Sequence, residues 1–146
     1  MLTLSMITFI FVNSSFDANV SSQHSLGVRE WINSIFSSLN IDIVLTDHVV
    51  RKCAHFAEYF VLGTLLFFTA RAYLKKLLTV TLVSVLTGLL VAVIDEIIQL
   101  FSKGRSCQFS DVMLDLSAVI CASIILFLIY KLVNKRSKRD KGKENE

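Results

Sequence analysis

Between Val49 and Phe60 the chain reads VVRKCAHFAEYF. On a helix, Arg51, His55 and Glu58 stand four and three residues apart and form one stripe, with Lys52 and Tyr59 on the next. An imidazole near a carboxylate is the pairing of general acid–base chemistry. A guanidinium offers a bidentate fork to phosphate or carboxylate. Two further polar groups follow. In AVIDEIIQLF, Asp95 and Gln99 are four apart with Glu96 beside them, and in SDVMLDLS, Asp111 and Asp115 are again four apart. Arg105 lies in the short stretch between these two groups.

The elements that must position them are membrane helices. Of the 146 residues 53% are hydrophobic, the mean hydropathy is +0.61, and there is no proline. The apolar residues come in long blocks, unlike those of an ordinary soluble domain. Residues 53–73, 77–101 and 111–133 can each cross a hydrocarbon core of about 30 Å, which takes roughly 20 helical residues. The opening MLTLSMITFIFV is apolar over residues 1–12 and is read as the outer, partial piece of a first transmembrane helix. A signal peptide is the competing reading, but a basic n-region and a small-residue cleavage site are lacking. The expected fold class is all-α: an integral membrane four-helix bundle with a short amphipathic helix in its first outer loop. Residues 1–135 form its single domain.

Charge placement predicts the orientation. Lys131, Lys135, Arg136, Lys138, Arg139, Lys141 and Lys143 crowd the C-terminal tail, and Arg71, Lys75 and Lys76 separate two spans. Positive residues stay on the cytoplasmic side, so both termini are expected in the cytoplasm of a multi-pass protein. The net charge of +3 then reflects topology beside an anionic leaflet, and no nucleic-acid partner is expected. Residues 136–146 read as a disordered basic tail. In the first loop NSSFDANVSSQHS reads as irregular, whereas Val28, Trp31, Ile32, Ile35, Phe36 and Leu39 recur at helical spacing, as in a helix lying on the membrane surface or capping the bundle.

Under this topology all three polar groups and Arg105 meet at one depth near the outer leaflet. A charge at the bilayer centre costs about 2.5–3.5 kcal/mol on insertion scales, so such residues normally face a cavity and pair. An outward-facing polar pocket follows, lined by Arg51, Lys52, His55, Glu58, Tyr59, Asp95, Glu96, Gln99, Arg105, Asp111 and Asp115. Structural readings compete residue by residue: Arg51 and Lys52 can snorkel to headgroups, Asp111 can cap a helix, and Glu58, Asp95 and Arg105 can form interhelical ion pairs. His55 with Glu58 and Asp95 is a conceivable ligand set, but His24 and His48 fall outside the groups. Cys53, Cys107 and Cys121 lack metal-ligand spacing, so neither a metal nor any other cofactor is expected. Cys121 reads as a small apolar filler, and Cys53 with Cys107 as a conceivable disulfide.

With RKCAHFAEYFVLG, DEIIQLF and GRSCQFSDVMLD in this order, the chain resembles the VanZ-like family of bacterial membrane proteins. The resemblance implies a four-helix membrane protein of the cell envelope, in a family named for resistance to the glycopeptide teicoplanin and without an established reaction. Arg51, Lys52, His55, Glu58 and Tyr59 match its first motif, Asp95, Glu96 and Gln99 its second, and Gly104, Arg105 and Asp111 its third. Asp115 stands where the family usually has Asn, Ala118 where it has Gly, and Lys103 where a Pro is common. The expected function is binding of an envelope lipid or lipid-linked precursor in the pocket, contributing to glycopeptide resistance. The alternative is an intramembrane enzyme acting on such substrates through His55 and Glu58. A proton-coupled transporter is disfavoured, because the inner halves of the spans carry almost nothing polar.

Overall fold

The computed structural model describes residues 1–39, 44–104 and 108–143, with backbone alone at 18–25 and 137–143. The described residues form helices α1 (Leu2–Ser14), α2 (Ala18–Ser38), α3 (Asp47–Tyr73), α4 (Leu77–Leu100) and α5 (Phe109–Lys143), without a strand. Three are long and apolar enough to cross a membrane: α3, α4 and the Phe109–Arg136 part of α5. The 13 residues of α1 rise only about 20 Å, less than the hydrocarbon thickness.

The three long helices pack on one another, and α1 lies against α3 and α4. Hydrogen bonds fix the direction of α1. The Thr3 and Thr69 hydroxyls are 2.8 Å apart, while Asn13 Nδ2 donates to Glu58 Oε1 at 2.8 Å, so α1 runs antiparallel to α3. Its C-terminus meets that of α4, where the Ser102 hydroxyl donates to Ser14 O at 3.1 Å and Lys103 N–H to Asp17 Oδ1 at 3.0 Å.

The interior is lined by small residues. Gly63, Gly88, Ala92, Ala118 and Ala122 are buried, which lets helix backbones approach closely where dispersion rather than hydrophobic burial drives association. Val119 is the wedge between them: a Cβ at Gly63 would stand 2.9 Å from its Cα, and one at Gly88 2.7 Å from its Cγ1. Larger apolar residues such as Leu62, Phe67 and Val119 are buried beside them, while many others face outwards, among them Leu78, Leu82, Leu86 and Leu90 of α4 and Ile124, Ile125, Leu128 and Ile129 of α5. An apolar exterior of this extent suits lipid and not water.

Several expectations change. The Ser- and Asn-rich stretch after α1 is helical from Ala18 onwards. It holds no Pro, and intrinsic propensities spread over less than about 1 kcal/mol per residue are readily overridden by the packing of a continuous helix. α2 half-buries Ile32, Ile35 and Phe36 but leaves Val28, Trp31 and Leu39 exposed. It is tied to α3 by Arg29–Asp47 at 3.0 Å and to the residues just before α3 by Asn33 Oδ1, which accepts from Leu45 N–H at 2.9 Å. α5 runs to Lys143 through a stretch rich in Lys and Arg, which are good helix formers, and without Pro. Cys121 is exposed on the outer face of α5 and fills no interior gap. The conceivable Cys53–Cys107 bridge falls outside the described residues at Cys107, while Cys53 is exposed.

Candidate functional site

The polar groups converge, as the topology predicts, at the end where α1 and α4 finish and α3 and α5 begin. α3 starts at Asp47, a turn and a half before the apolar run, so Arg51, Lys52, His55, Glu58 and Tyr59 all stand on regular helix. The last turns of α4 bring in Asp95, Glu96 and Gln99, which are buried. The first turns of α5 bring in Asp111, half-buried, and Asp115, only 2% exposed. Arg105 lies outside the described residues.

A cavity of about 80 Å³ opens among these helix ends, lined by Arg51, Lys52, His55, Glu96, Gln99, Gly104, Gln108, Asp111, Leu114 and Asp115. It has room for a few waters, an ion or a phosphate group, and none for a whole lipid. Gly104 adopts φ 77° in the turn leading to α5, a left-handed conformation that glycine takes without the steric cost of a Cβ.

The side chains divide into a rim and a floor. At the rim Lys52 Nζ meets Asp111 Oδ1 at 3.0 Å, with both side chains about one-third exposed. Asp111 sits within the first turn of α5, its N–H bonded to Gln108 O at 2.9 Å. It therefore caps no helix end but pairs across to α3, and Lys52 turns to Asp111 instead of snorkelling. On the floor Glu96 is 1% exposed, and its Oε2 accepts from Gln108 N–H at 2.9 Å. Asp95, fully buried, accepts from Gln99 Nε2 at 3.3 Å. Tyr59, also fully buried, places its hydroxyl within electrostatic reach of Asp95, Asp115 and Glu58.

The floor carries an excess of carboxylates. Asp95, Glu96 and Asp115 form no ion pair among the described residues, and Glu96 Oε1 and Asp115 Oδ1 are buried without a hydrogen-bond partner. Removing an ion from water costs several kcal/mol unless partners offset it. His55, half-buried, reaches this floor: one ring nitrogen of His55 and one oxygen each of Asp95 and Asp115 all lie within 4.8 Å of one another. Asp95 and Asp115 thus join His55 in one group, Asp115 being a member that spacing on α3 alone does not suggest. Glu58 faces α1, where it accepts from Asn13.

Asn13 and Ser14 escape the sequence reading. Both belong to α1, with the Ser14 hydroxyl beside Asp95. The signal was present in the abrupt change from MITFIFV to Asn-Ser-Ser, which marks a polar end of an apolar helix at the depth of the other polar groups.

Comparison with curated proteins and with solved structures found no match for the chain. The family model described as VanZ/LLP1 matches residues 1–131, which spans every polar group just described, α3, α4 and α5 as far as Lys131. An apolar exterior, buried small residues and one polar layer thus belong to a membrane protein of the VanZ/LLP1 family, of which this chain is a member.

Proposed function

We propose that this chain is a multi-pass cell-envelope protein of four membrane helices, both termini cytoplasmic, whose pocket faces outwards and binds the anionic head group of an envelope lipid or lipid-linked precursor. By that binding it contributes to teicoplanin resistance, in keeping with the family's name. The observation that carries the reading is the cavity itself, with Arg51 and Lys52 at its edge and a volume of about 80 Å³. Such a space admits a phosphate or carboxylate while the rest of a lipid-linked ligand stays outside among the apolar helix faces. Arg suits such groups through paired donors and Lys as a point charge.

The intramembrane enzyme is the second reading, favoured by the grouping of His55 with Asp95 and Asp115. It assigns His55 the proton transfer and a floor carboxylate its orientation. The test expresses the chain in a teicoplanin-sensitive Gram-positive host, with an Arg51→Ala/Lys52→Ala form matched for membrane level. Resistance from the parent and none from the variant supports binding at the rim; equal susceptibility of parent and empty vector sinks the resistance role. A released product from extracted envelope lipids, lost in His55→Ala, moves the assignment to the enzyme.

A further inference from the structure

We infer that His55, Asp95 and Asp115 bind one divalent transition-metal ion beside the cavity that His55 and Asp115 line. Each contributes one donor atom, and the three atoms already lie within 4.8 Å of one another, drawn from three different helices. A metal with bonds of about 2.0–2.2 Å spans donors up to roughly 4.2 Å apart, so closure takes only small side-chain movement. One imidazole with two carboxylates suits Mn²⁺, Fe²⁺ or Zn²⁺ better than the all-oxygen preference of Ca²⁺ or Mg²⁺.

A second observation points the same way. Glu96 lines the same cavity as His55 and Asp115, is 1% exposed, and has Oε2 fixed by the Gln108 N–H. Its Oε1 is buried without a hydrogen-bond partner, as is Asp115 Oδ1. Two nearly inaccessible carboxylates thus keep an oxygen uncommitted beside an imidazole, where a cation or its bound water satisfies them. Lys52, which lines the same cavity, pairs with Asp111 at the rim. The inference stands apart from the choice of anionic ligand, because the metal donors lie on the floor.

The test uses the full, tag-free chain in detergent, stripped with EDTA and titrated with MnCl₂, a probe with little affinity for the cysteine thiols. One Mn²⁺ per chain is expected, with nitrogen hyperfine coupling from the bound imidazole in pulsed electron paramagnetic resonance. Substituting residues that merely support metal ligands costs about 10–100-fold in affinity. His55→Ala and Asp115→Asn are therefore expected to weaken Mn²⁺ binding by about 100-fold, while Lys52→Ala does not weaken it. The wild-type spectrum needs no variant to fold. Failure to retain Mn²⁺, retention without nitrogen coupling, or equal retention by a folded His55→Ala overturns the inference.

Discussion

At the residue scale, the contacts in the polar layer differ in what they contribute. The Asn13–Glu58 hydrogen bond joins a half-buried carboxylate to α1, and bonds to charged groups are worth about 1.5–3 kcal/mol. Asn13→Leu is therefore expected to destabilise the detergent-solubilised protein by about that amount, measured by thermal unfolding. Glu58→Gln keeps an oxygen acceptor and is expected to cost less than Glu58→Leu; equal losses would remove the hydrogen bond as the cause. The Lys52–Asp111 pair is partly exposed, and such pairs contribute about 0–1 kcal/mol. Lys52→Ala is expected to leave thermal stability nearly unchanged, so any change it makes in ligand retention reports on the cavity and not on folding.

At the scale of elements, α5 is held by one close contact against two neighbours. Gly63 of α3 meets the backbone of Val119, whereas Gly88 of α4 meets its side chain. Overpacking a tight interface costs about 1–3 kcal/mol, and both Gly63→Ala and Gly88→Ala are expected to lower stability within that range. They should respond differently to Val119→Ala. That change clears the Cγ atoms facing Gly88 and rescues Gly88→Ala, but it leaves the backbone facing Gly63 in place and does not rescue Gly63→Ala. A double-mutant cycle read by thermal unfolding checks this, and rescue of both would locate the constraint elsewhere. Ala118 also belongs to this element. It is fully buried, and its single methyl keeps α5 close where the family usually has Gly.

For the whole molecule, the outward apolar faces between the two polar ends define which surfaces meet lipid. Cys53 is exposed within the first two turns of α3, whereas Cys121 is exposed near the middle of the apolar Phe109–Arg136 part of α5. On intact cells carrying a Cys107→Ser form, a membrane-impermeant maleimide is expected to label Cys53 and spare Cys121. Labelling of Cys53 only after the membrane is opened would reverse the proposed orientation. At the opposite end, Arg71 lies 5.7 Å from the Tyr130 ring centroid and donates to Leu74 O at 2.9 Å. A cation–π contact of this kind joins α3 to α5 where the positive residues gather.

Much of this was legible in sequence because membrane insertion imposes simple constraints. Long apolar runs specify helices, since backbone groups in lipid must be satisfied internally. The i, i+4 spacing of Asp95 with Gln99 and of Asp111 with Asp115 specifies shared faces, and alternating helix direction brings the groups to one depth. What lay beyond the sequence was azimuth and partnership. Spacing on α3 alone could not say that Glu58 turns to Asn13 while His55 turns to Asp95 and Asp115, because rotation about each helix axis is decided by packing. That packing turns on Gly63, Gly88 and Val119, residues whose sizes are local but whose fit exists only once three helices meet.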